Sequence, residues 1–154
     1  MFSTTQKFGL GRVYRDATAE AKRRGDRRVS TEHIALALVS DPESVTARAL
    51  GVSLTEARAA LQALDRQALA SVGIDTDYSG PVLPGRENER LRLTPAAKAV
   101  FTGLRQEVTK GERLGIQHVL LALLSRQRPD PAAELLESLR VDRTKARRRV
   151  KDLS

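Results

Sequence analysis

Two stretches of this 154-residue chain, 30-STEHIALALVSD-41 and 115-GIQHVLLALLSR-126, carry the same histidine-led apolar run. A second pair, 47-ARALGVSLTEARAAL-61 and 136-LESLRVDRTKARRRV-150, shares a leucine, one residue, a valine and then a capped helix start. A duplicated order of helices points to two similar units. Either unit alone buries too little apolar area to be stable, so the two have to pack on one another. The expectation is an all-α fold: a pseudo-two-fold tandem repeat of two four-helix units, about eight helices, forming a single domain over 1–154. Repeat one covers about 8–70, a linker about 71–92, and repeat two about 93–153.

Helices are expected throughout, because apolar residues recur at three- and four-residue intervals and aromatic residues make up only 3% of the chain. No strand is expected. The first helix runs from Leu10 to Arg24, with Val13, Ala17 and Ala21 on one stripe and Gly25 as its stop. Ser30 or Thr31 caps the second, and the third spans Glu43 to Leu50. Ser53 and Glu56 form a capping box for the fourth, which continues through Leu61 and Ala68. From Ser71 to Arg92 the periodicity gives way to glycine, proline and acidic residues, the composition of a surface connection. Thr94 and Pro95 then supply an N-cap and a first helical residue, opening a helix with Ala97, Val100, Phe101, Leu104 and Val108 that extends to Gly111. The last three helices start near Ile116, after 129-PDP-131, and at Asp142.

The chain has no cysteine, which removes disulfides and thiolate metal sites and agrees with a reducing compartment. No apolar run approaches the roughly 18 residues that span a bilayer, and the N-terminus lacks a basic region followed by an apolar run. A cytoplasmic protein with no membrane association is expected. The formal charge is +8, and the last 16 residues hold seven Lys or Arg against two Asp. Such a tail can attract nucleic acid. It also reads as the solvated face of a last helix whose Val141, Ala146, Val150 and Leu153 turn to the core.

The motifs 31-TEHIALAL-38, 94-TPAAKAV-100 and 118-HVLLALL-124, in this repeat order, resemble the Clp N-terminal repeat domain at the front of ClpC- and ClpA-type AAA+ unfoldases. The resemblance covers nearly the whole chain. No G-x-x-x-x-G-K-[S/T] phosphate loop is present, so the expectation is a stand-alone recognition domain without ATPase modules, not an enzyme, and needing no cofactor or metal.

The resemblance implies binding of adaptor proteins, substrates, phosphoarginine-bearing proteins and cyclic-peptide antibiotics. A phosphoarginine receptor needs a carboxylate for the guanidinium and N–H donors or cations for the phosphate. The resemblance places Glu32 at the family's ligand-binding glutamate in repeat one and Gln117, which is neutral, at the same position in repeat two. It places Thr94 at the threonine near the phosphate, with Lys7 in the matching position of repeat one. Phe2 resembles the family's N-terminal Met-Phe pair at the peptide and antibiotic surface, and Leu93 stands where the family has phenylalanine. Each has a plainer reading: an acidic residue in a first helical turn is favoured by the helix dipole, and a terminal aromatic can tether the chain end. His33 and His118 have no H-E-x-x-H motif or Cys/His cluster beside them and are read as packing or capping residues.

Three function classes follow. The first is a recognition module that modulates a ClpC-type protease as adaptor or decoy, with Clp protease components, adaptors or clients as partners, a surface that would also sequester Clp-targeting cyclic peptides. The alternative is a nucleic-acid-binding protein acting through the basic C-terminal helix. It lacks helix-turn-helix spacing and an aromatic stacking platform. An enzyme lacks a nucleophile motif.

Overall fold

The computed structural model describes residues 9–73 and 90–154. Among these, repeat one forms α1 (Leu10–Arg24), α2 (Thr31–Leu38), α3 (Val45–Leu50) and α4 (Leu54–Ser71). Repeat two forms α5 (Pro95–Thr102), α6 (Ile116–Leu124), α7 (Pro131–Ser138) and α8 (Arg143–Leu153). The chain is all-α, with eight helices among the described residues.

Local chemistry accounts for most boundaries. Val13, Ala17 and Ala21 of α1 are fully buried. The helix ends at Gly25, whose φ of 80° is a left-handed conformation that glycine adopts without a Cβ penalty. The Asp26 N–H reaches back to the Ala21 carbonyl to close the cap. Ser53 accepts from the Glu56 N–H while Glu56 accepts from the Ser53 N–H, the reciprocal box expected at the start of α4. Thr94 caps α5 by accepting from the Ala97 N–H at 3.2 Å.

The helix contacts express the repeat. Helix α4 packs on α7 as α8 packs on α3; α2 touches α7 as α6 touches α3; and α2 meets α6. Exchanging the two repeats turns each of these contacts into another of the set, which is the signature of a pseudo-two-fold axis passing through the α2–α6 contact. The apolar duplicates are therefore central. All of α2 except Glu32 is buried, and so are seven of the residues of α6. Leu36, Leu38, Leu120 and Leu123 are at most 1% exposed, each contributing about 1.5–3 kcal/mol by leaving water.

Three expectations are corrected. A strand pair does exist: β1 (Arg28–Val29) and β2 (Arg92–Leu93) run parallel, with Arg28 opposite Arg92 and Val29 opposite Leu93. The first helix of repeat two stops at Thr102, well before Gly111. A Cβ at residue 103 would lie 3.1 Å from the Ala99 carbonyl oxygen, so glycine fits the tight end, and glycine also propagates a helix poorly. Leu104 is still buried, by a 3-10 turn over Leu104–Glu107, so the apolar spacing continued where the α-helix did not. The third helix begins at Val45, because the Ser44 hydroxyl accepts from the Ala47 N–H and sets the start there.

Candidate functional site at the head of α2

Glu32 lies in the first turn of α2, and the surrounding residues fix that turn from two sides. On one side, the Ser30 N–H donates to His33 Nδ1 at 2.9 Å. The Nδ1 atom therefore accepts, the proton sits on Nε2, and Nε2 donates to Asp26 Oδ2 at 2.8 Å. Asp26 is also held by Arg24, and Arg24 reaches Asp65 of α4 at 2.5 Å. The C-terminus of α1, the head of α2 and the body of α4 are thus joined by one chain of polar contacts. Burial pushes the Asp26 carboxyl up, but the His33 hydrogen bond and the charge and hydrogen bond of Arg24 outweigh it and hold the carboxyl below its ordinary value. Burial likewise opposes the charge on Arg24, and its two carboxylate partners overcome that and raise its pKa.

On the other side, the Thr31 hydroxyl donates to Asp130 Oδ2 at 3.0 Å and accepts from the Ala132 N–H at 3.1 Å. This ties the head of α2 to the N-terminus of α7. Asp130, 8% exposed, also pairs with Arg126.

Glu32 itself stays outside these networks. Its Oε1 is shielded from solvent and has no hydrogen-bond partner among the described residues. Buried polar atoms are nearly all paired in folded proteins, so an orphaned carboxylate oxygen at a fixed helix head is a natural acceptor for an incoming donor.

The strand pair supplies the second half of the site, and it comes from the other repeat. The Thr94 N–H donates to the Val29 carbonyl at 2.9 Å, which sets Leu93 and Thr94 beside the residues leading into Glu32. The Thr94 hydroxyl oxygen accepts from Ala97, leaving its own hydrogen free to donate. Leu93 is half-buried and packs partly on the core. Of the residues singled out in the sequence, Leu93 and Thr94 of repeat two thus lie against Val29, three residues before Glu32 of repeat one. Phe2 and Lys7 lie outside the described residues.

The equivalent position of repeat two is built differently. The Gly115 N–H donates to His118 Nδ1 at 2.9 Å, repeating the cap of repeat one. However, His118 Nε2 is buried without a hydrogen bond, and its nearest carboxylate oxygen, on Glu112, is 3.6 Å away. Ile116 replaces Thr31 and cannot hydrogen-bond to a neighbouring helix. Gln117 folds back over Gly115, where a Cβ at residue 115 would come within 2.4 Å of its amide oxygen. The two histidines are thus helix caps, and among the described residues no group of three or more His, Asp or Glu is arranged to hold a metal ion.

The basic last helix spends part of its charge on the fold. Arg143 donates to the carbonyls of Leu124 and Arg126, Arg147 donates to the Ser125 hydroxyl at 2.7 Å, and Arg149 donates to the Ala49 carbonyl at 3.4 Å. Cations at helix C-termini satisfy orphan carbonyls and the dipole together. Ala146 and Val150 face the core as expected, whereas Leu153 is 38% exposed. Among the described residues no helix is long and apolar enough to cross a membrane.

Comparison with known proteins adds the family. The model described as "Clp repeat (R) N-terminal domain" matches residues 10–139. The chain is 34% identical over 140 residues, 89% of its length, to the negative regulator of genetic competence ClpC/MecB of Bacillus subtilis. It is 30% identical over 139 residues, 87% of its length, to the ClpA homologue of Guillardia theta described as an ATP-dependent Clp protease ATP-binding subunit. It is also 30% identical over 142 residues, 90% of its length, to the ATP-dependent Clp protease ATP-binding subunit ClpC of Staphylococcus aureus. The chain spans about 15% of the length of these curated relatives.

Proposed function

Because the chain belongs to the Clp repeat N-terminal domain family, we propose that it is a non-enzymatic recognition module of the Clp system, binding client or adaptor proteins at a site formed by Glu32 and Thr94. Arginine-phosphorylated segments are the ligand class that fits this pair. The guanidinium side of phosphoarginine bonds to the Glu32 carboxylate, and a phosphoryl oxygen accepts from the Thr94 hydroxyl beside the N-terminus of α5. Repeat two has a neutral Gln117 in place of the carboxylate, so one competent site per chain is proposed. Delivering clients to a cytoplasmic ClpC-type protease, competing with it as a decoy, and sequestering cyclic peptides aimed at it are three uses of the same surface. The observation that carries the reading is the orphaned Oε1 of Glu32 at a head of α2 that is otherwise fully tied down. A nucleic-acid role for α8 has less support, since Arg143, Arg147 and Arg149 are engaged within the fold.

Calorimetric titration with phosphoarginine and with a phosphoarginine peptide tests the proposal. Saturable binding to the wild type, lost in Glu32→Ala, is the expected result. No heat from either ligand, or binding unchanged in Glu32→Ala, overturns it.

A further inference from the structure

The strand pair that joins the repeats places Arg28 directly opposite Arg92. Both arginines are exposed, while Val29 is buried and Leu93 packs against the core. Residues at one register position of a ladder share a face, with neighbouring strands about 4.8 Å apart, so two guanidiniums project side by side from the outer face. Arg27 and Arg90, also exposed, flank them. Among the described residues the side chains of these four arginines have no hydrogen-bond or ion-pair partner. By contrast, Arg23, Arg24, Arg58, Arg126 and Arg128 are each held by a carboxylate. Like charges facing one another across a ladder weaken it, so the fold itself gains nothing from this arrangement.

We infer that this arginine face docks acidic peptide segments, with an Asp/Glu-rich stretch of a bound protein lying across the ladder beside the Glu32–Thr94 site. The inference deepens the peptide-binding reading of that site and rests on it. The planar guanidinium fork matches a carboxylate bidentately, and two adjacent forks suit a run of carboxylates. Nucleic acid suits the face less well. Glu32, four residues beyond Arg28, repels a continuous polyphosphate, whereas a peptide can set a cationic group on Glu32 and acidic groups on the arginines. Segments 27–32 and 90–94 also contain no Phe, Tyr or Trp on which bases could stack.

Fluorescence anisotropy with a labelled glutamate-rich peptide and its glutamine counterpart tests the inference on the full chain. The glutamate peptide should bind and the glutamine peptide should not. The double variant Arg28→Gln/Arg92→Gln should weaken binding roughly five- to tenfold, the effect of two exposed ion pairs, and raised salt should weaken the wild type similarly. Both positions are exposed and their like charges oppose one another, so thermal unfolding should not fall to lower temperature. Removing the same charge from α8 with Arg148→Gln/Lys151→Gln should leave binding unchanged, which separates this face from the overall positive charge. Equal binding of the two peptides, or an equal loss in the α8 variant, overturns the inference. Single-stranded RNA of matched charge that binds as tightly and is lost with the same arginines overturns the assignment to peptides. The phosphoarginine titration reports separately on the Glu32 site: acidic-peptide binding that survives Glu32→Ala supports the arginine face whether or not phosphoarginine binds.

Discussion

Repeat one and repeat two share a core but not a site. Helices α2 and α6 occupy equivalent central positions, each capped by a histidine that takes the backbone N–H three residues before it. Around them the halves diverge. Helix α1 has 15 residues and α5 has eight. His33 is locked to Asp26 at 2.8 Å, whereas His118 stands 3.6 Å from Glu112. Thr31 braces α7 through Asp130, and Ile116 braces nothing by hydrogen bonding. Gly51 ends α3 in the left-handed region, while Arg140 is forced into the same region at φ 59° after α7. Packing on the pseudo-axis constrains both halves alike, so the difference lies in the polar residues that hold the helix heads, which among the described residues tie down the head of α2 from two sides and that of α6 from one.

The comparison predicts equality in the core and inequality at the caps. Leu36→Ala and Leu120→Ala should each cost about 2–5 kcal/mol, because both side chains are fully buried on the central helices. Chemical denaturation that found one of them nearly neutral would break the equivalence of α2 and α6. His33→Ala should cost about 2–3 kcal/mol, since it leaves the Ser30 N–H and Asp26 without their shared partner, and His118→Ala, which removes one such bond, should cost about 1–2 kcal/mol. Equal losses would mean that the Asp26 contact adds nothing.

Acid should act first on repeat one. Glu20, 7% exposed, has its carboxyl pushed up by burial but held below its ordinary value by hydrogen bonds and charge from Arg58 and Arg23. Asp26 is shifted the same way. A carboxyl with a lowered folded-state pKa contributes its full stabilisation above the unfolded value, about 4, and loses it as pH falls through the folded value. The double variant Glu20→Gln/Asp26→Asn should therefore be less stable than the wild type at neutral pH, and the gap should narrow below about pH 4. A gap independent of pH would remove the electrostatic account. The smallest effect is expected at the helix ends: Arg140→Gly should raise stability by about 0.5–1 kcal/mol by relieving the left-handed strain, and Gly51→Ala should lower it by a similar amount.

Helix boundaries were legible where one side chain decides them: Gly25, Ser53 with Glu56, Thr94 with Pro95, and Asp142, whose carboxylate accepts from the Lys145 N–H. The capping role of the histidines was also legible, because it is a three-residue relation. The end of α5 was not, since a 3-10 turn buries Leu104 with the spacing of a longer helix. Nor was the strand pair: two residues pairing across a separation of 64 positions leave no local period. That pairing also brings the Thr94 N–H to the Val29 carbonyl of the other repeat, a contact with no signature in the local sequence.

Two-dimensional amide NMR during a phosphoarginine titration tests the central claim most directly, because it reads both helix heads at once. The account predicts saturable shifts at Val29–His33 and Leu93–Ala97, with little change at Leu114–His118. Equal shifts at the two helix heads, or shifts confined to Leu114–His118, would contradict a single site assembled from Glu32 and Thr94.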